Sequence, residues 1–263
     1  MDTVFFVRSW DQGEVQRIRK SAKREFSKFF GLFVAAVYDR RIISQPATIH
    51  ATVTDRRYSE ALNQPVLIIA TRNSHKTLEI QEILGPEFMV RDLSSFSDIP
   101  EIAETGKTFE ENAILKAVTV SQLVGDIVLA DDSGLEVDAL GGAPGVYSAR
   151  YAGEPSNDRR NNEKLLQELE RVDPQKLRRQ ARFRCVLAIA RAGNVLKTFS
   201  GEVEGTIGAA PRGSGGFGYD PLFIPNGFAQ TFGELPPSIK NELSHRGRAF
   251  SRAMPFLSGL ARK

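Results

Sequence analysis

The sequence is poor in cysteine and in long hydrophobic runs, and both shortages exclude whole classes of protein. Its 263 residues include one cysteine, Cys185, which excludes an internal disulfide framework and leaves no zinc cluster. The longest apolar run, residues 29–38, is too short to span a bilayer and begins too late for a secretory signal. Residues 1–64 hold seven acids, which is untypical of a transit peptide. We therefore expect a cytoplasmic protein with no membrane partner.

The net positive charge of the chain comes from its N-terminal part. The whole sequence has a net charge of +3 and a pI near 9.0. Residues 1–64 contain 11 Lys and Arg against 7 Asp and Glu, whereas residues 65–263 contain 24 against 25. A duplex-binding protein needs a basic stripe on a folded face. The nearly neutral body therefore argues against nucleic acid as a partner.

The secondary-structure pattern places a domain boundary near Gln64 and Pro65. We expect residues 1–64 to be an extension, poorly ordered or outside the catalytic fold, because no catalytic motif lies there. Strand and helix patterns alternate over residues 65–263 and include an antiparallel hairpin, which predicts an α/β fold with a mixed sheet. The predicted strands are 66–70, 127–130, 182–191 and 195–200, and the predicted helices are 77–84, 108–124, 157–169, 237–243 and 247–257.

The feature richest in chemistry is a pair of acids, Asp131 and Asp132, directly after the apolar run 127–130. Ligands of open α/β sheets bind outside the carboxyl ends of strands. Two carboxylates there repel each other unless a cation offsets their charge. Mg²⁺, which usually arrives with substrate phosphates, suits such a pair. The alternative is a solvated turn, since Ser133 and Gly134 are ordinary turn residues.

A second polar segment, residues 71–76, follows the first predicted strand and opens the next helix. Free backbone N–H groups and the helix dipole make such a turn an anion site, and Lys76 adds a charge suited to phosphate. The alternative is an ordinary helix cap by Asn73 or Ser74. The pattern of a P-loop is missing.

A glycine-rich loop, residues 213–218, precedes Tyr219 and Asp220. Its Gly-x-Gly-x-x-Gly spacing lacks the preceding strand and following helix of a dinucleotide-binding fold. Phe217 and Tyr219 could instead stack on a base whose edge Asp220 contacts, or the two rings could fill the core beneath the turn.

Three further candidates stand alone in the sequence. Glu104 precedes a glycine turn and could be a metal ligand or a surface charge. His245 and Arg246, after Lys240, supply donors between two helices, although a lone histidine is more often a cap. Cys185 lies in a strand pattern, which favours a buried structural thiol over a catalytic thiolate.

Taken together, these motifs resemble the non-canonical purine NTP pyrophosphatase family (ITPase or XTP/dITP diphosphatase). The resemblance covers about residues 66–257, and the family often has glycine where this chain has Arg72. The matching segments, in the family's order, are 70–76, 104–106 with 109–113, 130–135, 141–151, 215–221 and 244–247.

The resemblance implies a magnesium-dependent hydrolase with an elongated mixed sheet, two lobes around a central nucleotide cleft and a homodimeric assembly. It implies that Glu104 and Asp132 hold Mg²⁺, that Asp132 activates water and that Ser133 contacts the substrate. The residues implied to hold the triphosphate are Thr71, Arg72, Asn73, Ser74, His75 and Lys76, and those implied to line the nucleotide pocket are Phe217, Gly218, Tyr219, Asp220, Lys240, His245 and Arg246.

The implied reaction converts ITP, dITP or XTP to the monophosphate and pyrophosphate, which removes deaminated purines from the nucleotide pool. If the polar groups of the pocket pair with the 6-oxo edge of a purine, they have no partners when ATP, with its 6-amino group, is bound. Such a mismatch discriminates strongly between the two substrates. The alternative is a nucleotide-binding regulator without catalysis, which could dispense with Glu104 or Asp132; both acids are present.

Overall fold

Strands and helices alternate along the body of the chain, so the predicted α/β class is confirmed. The computed structural model describes residues 65–261 and, before them, residues 13, 16–18 and 20. The strands are β1 (Val66–Ile69), β2 (Met89–Asp92), β3 (Ile127–Val137), β4 (Gln180–Arg191), β5 (Asn194–Ile207) and β6 (Phe223–Pro225), and the helices are α1 (Ser74–Leu84), α2 (Phe109–Val124), α3 (Asp158–Val172), α4 (Pro237–Leu243) and α5 (His245–Ala261).

The six strands form one mixed sheet in the order β2-β1-β3-β4-β5-β6. β1 is parallel to β2 and β3, whereas the pairs from β3 to β6 are antiparallel. The prediction that a strand ends before Asp131 is wrong, because β4 continues to pair with β3 as far as Val137. The parallel pairing of β1 with β3 does end at Leu129. The acids therefore lie inside a strand, just past the carboxyl end of its parallel section.

Local capping explains where the helices begin. Thr108 caps α2 by accepting a hydrogen bond from Glu111 N at 3.1 Å, while the Glu111 carboxylate accepts from Lys107 N at 2.6 Å, one residue before the Thr108 N–H that a capping box uses. Asn73 caps α1 by accepting from the N–H groups of His75 and Lys76, so the helix begins at Ser74 rather than at the predicted Thr77. The second hairpin strand runs to Ile207, not Ser200, because β4 supplies partners along its whole length.

Three groups of buried apolar side chains hold the sheet and its helices. The first includes Ile68, Val120 and Ala130 and lies under α2. The second includes Leu129 and Phe250 and packs β3 against α1 and α5. The third gathers the end of β3, the beginning of β4 and the end of β5 with β6 and α3. In its first part β3 therefore packs one face against α2 and the other against α1 and α5, and its end belongs to the third group.

Among the N-terminal residues that the structure describes, Ile18 packs with the first core group. Ile18 is 2% exposed and belongs to the cluster that includes Ile68 and Phe96. Most of residues 1–64, which we expected to lie outside the catalytic fold, are outside the described residues. Among the described helices, none is both long and apolar enough to cross a membrane.

Candidate active site

The two adjacent acids of β3 point to opposite sides of the sheet, as successive strand residues do. Asp131 shares its face with Leu129 of the second core group, and Asp132 shares its face with Ala130 of the first. Both are buried, at 1% and 5% exposure. Asp131 therefore meets α1 and α5, whereas Asp132 meets α2.

Asp132 is joined to Glu104 through a lysine of α2. Lys116 Nζ lies 2.8 Å from Asp132 Oδ1, 2.7 Å from Glu104 Oε1 and 2.9 Å from the Asp131 carbonyl oxygen. Burial raises the pKa of Asp132 despite the charge of Lys116. For Glu104, burial is outweighed by Lys116 and the pKa is lowered. This cluster therefore holds one carboxylate that binds protons more readily than usual beside one that stays ionised.

Sequence reasoning missed Lys116, although the sequence carries a signal for it. Lys116 lies on the face of α2 that buries Asn112, Ala113 and Ala117. A lysine on the apolar face of a helix is rarely buried unless it is paired. Burial alone would lower its pKa, but Asp132 and Glu104 raise it, so the lysine stays charged.

Asp131 is the centre of a separate group of donors. Its carboxylate accepts from Lys76 Nζ at 2.6 Å, Arg246 Nε at 3.0 Å, Ser133 Oγ at 3.0 Å and Cys185 Sγ at 3.0 Å. Burial alone would raise the pKa of Asp131, but Arg246 and Lys76 hold it well below its usual value. Burial raises the pKa of the Cys185 thiol well above its usual value, so Cys185 is the expected structural thiol.

The turn predicted to hold a triphosphate divides its side chains between two directions. Asn73 and Lys76 line the cleft that contains Asp132. The Arg72 guanidinium instead donates to the carbonyl oxygens of Leu93, at 2.7 Å, and Ile99, and so braces the loop after β2. Thr71 Oγ1 accepts from Asn73 N at 3.1 Å. Ser74 and His75 are exposed.

The predicted base-binding loop places its two aromatic rings differently. Tyr219 is buried in the third core group and donates to the Ser148 carbonyl oxygen at 2.9 Å, as in the core-filling alternative. Phe217 is half-buried and lines the cleft, with its ring centroid 5.7 Å from that of His75. Asp220 Oδ2 accepts from Phe217 N at 2.8 Å and from Lys240 Nζ at 2.7 Å. Burial raises the pKa of Asp220.

Glu79 and Phe183, which the sequence did not single out, contact the predicted residues at this end of the cleft. Glu79 Oε2 lies 2.8 Å from Arg246 Nη1, and Glu79 Oε1 lies 3.5 Å from Lys240 Nζ. The His245 ring stacks on Phe183 with centroids 4.8 Å apart. Burial holds the pKa of His245 well below its usual value, so the imidazole is neutral. These contacts depend on tertiary packing, and we find no local sequence signal for them.

Most of the sequence-predicted residues line one cleft, whereas Thr71, Arg72, Ser74 and His75 do not line it. It brings together a phosphate-type turn, the Asp132 cluster and an aromatic ring flanked by cations, since Phe217 lies 5.1 Å from Lys240 Nζ and 5.7 Å from Arg246 Cζ. The sequence-predicted residues that line it are Asn73, Lys76, Glu104, Asp132, Ser133, Phe217, Gly218, Tyr219, Asp220, Lys240, His245 and Arg246.

Comparison with known proteins identifies relatives that match nearly all of residues 65–261. The profile of the Ham1 family matches residues 67–256. A dITP/XTP pyrophosphatase of Bacillus licheniformis is 52% identical over 192 residues, which are 73% of this chain and 97% of that protein. The dITP/XTP pyrophosphatase of Bacillus subtilis is 50% identical and covers 72% of this chain and 96% of its own length.

Solved structures agree with the sequence relatives. A HAM1 protein from Coxiella burnetii is 41% identical with a TM-score of 0.67, and covers 74% of this chain and 99% of its own. The Staphylococcus aureus Ham1 protein is 40% identical with a TM-score of 0.65, and covers 74% and 98%. Extending from β1 to α5, the likeness includes every element that contributes to the cleft. The chain belongs to the Ham1 family.

Proposed function

We propose that this protein hydrolyses ITP, dITP and XTP to the monophosphate and pyrophosphate, and so removes deaminated purines before they enter DNA or RNA. The observation that carries the proposal is the Asp132–Lys116–Glu104 cluster in the same cleft as Lys76 and Phe217. One end of the cleft suits phosphate, the other suits a base, and the acids lie beside the phosphate end. The relatives named dITP/XTP pyrophosphatase support the same reaction.

The phosphate end has the chemistry for attack of water on the α-phosphorus. A new P–O bond forms to the water oxygen, the bond from the α-phosphorus to the bridging oxygen breaks, and pyrophosphate leaves. Asp132 accepts the proton of the water, a role worth about 10²–10⁴-fold in rate. Lys76 and Lys116 supply positive charge near the phosphate oxygens, where charge develops in the transition state.

The donor set at this end fits Mg²⁺. Glu104 and Asp132 offer hard carboxylate oxygens that converge on one cationic atom, Lys116 Nζ. Across residues 65–261 no group of three or more His, Cys, Asp or Glu side chains forms an all-protein metal cage. Mg²⁺ is commonly held by one or two carboxylates with substrate phosphates completing its shell. When bound, the ion would supply charge neutralisation at the phosphates.

The base end can discriminate among purines by pairing. Lys240 and Arg246 present donors beside Phe217, and Asp220 presents a carboxylate acceptor. A 6-oxo group with an N1–H satisfies both a donor and an acceptor of the site. A 6-amino purine leaves them unpaired, which costs binding strongly.

The test is an ITP hydrolysis assay with the full chain, in Mg²⁺ and in excess EDTA, with separate readouts for pyrophosphate and orthophosphate. We expect pyrophosphate as the first product, no turnover in EDTA, and much slower hydrolysis of ATP than of ITP. Orthophosphate as the first product would contradict attack at the α-phosphorus. Equal rates with ATP and ITP would contradict the keto-purine pocket.

We also propose that the protein is a homodimer and acts in the cytoplasm, where the nucleotides for nucleic acid synthesis are held. A second concavity of about 750 Å³, lined by none of Glu104, Asp131 and Asp132, is bounded by Phe109, Pro144, Tyr147 and Phe199. Tyr147 is 61% exposed there, as a side chain available to a second copy would be. Analytical ultracentrifugation should give twice the chain mass for the wild type and a lower mass for Tyr147→Glu. A wild-type monomer at micromolar concentration would contradict the dimer.

A further inference from the structure

Two side chains of α3 form hydrogen bonds with Gly218, in the loop that carries Phe217. Asp158 Oδ2 accepts a hydrogen bond from Gly218 N at 2.7 Å, and Asn162 Nδ2 donates one to the Gly218 carbonyl oxygen at 2.9 Å. Asp158 and Asn162 are four residues apart, so they lie on the same face of the helix. None of the motifs that define the cleft includes either residue.

These two hydrogen bonds matter because glycine is the residue with the most backbone freedom. Gly218 has a φ of +62°, and a Cβ built there would have nothing within 4 Å. The glycine is therefore required by the backbone conformation and not by crowding, and it is the residue with the widest choice of φ and ψ. Its N–H and its C=O belong to the two peptide groups between which those torsions turn. Holding both groups fixes the torsions.

The consequence reaches the neighbouring aromatic ring. Phe217 is held on its N-terminal side by Asp220, which accepts from Phe217 N at 2.8 Å. On its C-terminal side the next peptide is the one that Asp158 holds. Both ends of the Phe217 backbone are therefore fixed, and its ring stays beside Lys240 and Arg246.

We propose that Asp158 and Asn162 are positioning residues for base recognition, acting through Gly218 on the Phe217 ring. The inference rests on the proposed function, since it presumes that a purine base stacks at Phe217. Neither side chain contacts the acid cluster in the described structure; both hold Gly218 at the base end of the cleft, which Asp158 also lines. Losing either should therefore weaken binding of the nucleotide while the chemical step is kept.

The experiment measures kcat and KM for ITP with full-length Asp158→Ala and Asn162→Leu, together with inhibition by tripolyphosphate, which has no base. We expect KM to rise by roughly 5- to 10-fold, a part of the effect of losing a stacked base. We expect kcat to change by less than about twofold, as for a loss of uniform binding. The inhibition constant of tripolyphosphate should be unchanged.

Two further measurements separate positioning from general destabilisation. In a Phe217→Ala background the same substitutions should change KM by less than about twofold, because the ring they position is gone. Asp173→Asn is the matched control, since Asp173 also accepts from two backbone N–H groups, those of Leu177 and Arg178, at the other end of α3. It should lower the Tm and leave KM unchanged.

The outcomes distinguish this inference from the proposed function. A wild type that does not hydrolyse ITP would overturn the proposed function. An active wild type whose KM is unaltered by both α3 substitutions would overturn the inference alone. A tripolyphosphate constant that rises as much as KM, or full effects retained in the Phe217→Ala background, would also overturn it. Asp158 lies at an exposed position, so its variant keeps the test open if Asn162→Leu does not fold.

Discussion

Asp131 and Asp132 are chemically identical neighbours with different partners, and substitution should separate them. Asp132→Asn removes the proposed proton acceptor and should lower kcat by about 10²–10⁴-fold with little change in Tm. Asp131→Asn weakens a fully buried pairing with Arg246 and a partly buried one with Lys76. Breaking such a pair costs about 3–5 kcal/mol, so Asp131→Asn should lower the Tm strongly and turnover less. Steady-state kinetics at saturating Mg²⁺ and thermal melting of both variants provide the measurement.

The contrasting results are equally clear for this pair. Near-normal turnover by folded Asp132→Asn would show that another group accepts the proton. A Tm of Asp131→Asn equal to that of the wild type would show that Asp131 does not hold Arg246 in place.

At the scale of elements, the contact of α5 with β5 sets the position of Arg246, one of the donors proposed to recognise the base. A Cβ at Gly201 of β5 would collide with the carbonyl oxygen of His245 and lie 2.5 Å from Ala249 N. Gly201→Ala should therefore displace the start of α5 and destabilise the fold by about 1–3 kcal/mol. It should also raise KM for ITP, because Arg246 follows His245. Gly259→Ala in the same helix, where nothing lies within 4 Å, should instead stabilise by up to about 1 kcal/mol. Equal Tm values for the two variants would contradict this account.

The end of α3 gives a pH-dependent prediction. The pKa of Asp173 is lowered because its carboxylate accepts from the N–H groups of Arg178 and Leu177. A lowered folded-state pKa stabilises the protein above the unfolded pKa, and this contribution is lost as the pH falls through the folded value. Asp173→Asn should therefore have a lower Tm at neutral pH, and the two Tm values should converge in acid.

The control for this titration is an exposed acid of the same helix. Glu163 pairs loosely with Arg159 at 3.9 Å, and Glu163→Gln should leave the Tm almost unchanged because such pairs contribute little. A Tm difference between wild type and Asp173→Asn that is constant from neutral to acid pH would contradict the linkage.

Sequence patterns predicted the five helices and four of the six strands in the described part of the chain, but missed β2 and β6 and several element lengths, for a physical reason. The cap at Thr108 is local, because its side chain accepts from Glu111 N, so residues 108–111 suffice to predict it. The length of β3 depends on β4, whose Val186 pairs with Asp132 from 54 residues later, and no window around Asp132 contains that information. Arg72 shows the same limit, because its acceptors belong to Leu93 and Ile99.

At the scale of the whole molecule, the N-terminal extension should affect stability more than catalysis. Ile18 is buried in the first core group, and burying an isoleucine contributes about 1.5–3 kcal/mol. Deleting residues 1–64 should lower the Tm, while kcat for ITP stays unchanged because residues 65–261 supply every side chain of the described cleft. Ile18→Ala in the full chain should reproduce part of the lower Tm. A folded, truncated protein that loses most ITP hydrolysis would show that the extension belongs to the working site.

The contacts of Arg246 also bear on how the protein is made. The guanidinium pairs with Asp131, 115 residues earlier, and with Glu79, 167 residues earlier. Synthesis delivers the N-terminal elements first, so a growing chain carries both carboxylates long before their counter-charge leaves the ribosome. Until α5 is complete, the nascent protein must keep this face open and hydrated. We therefore expect chaperones and proteases to recognise a chain that stalls before Arg246. Translation of α5 supplies the guanidinium that completes these ion pairs.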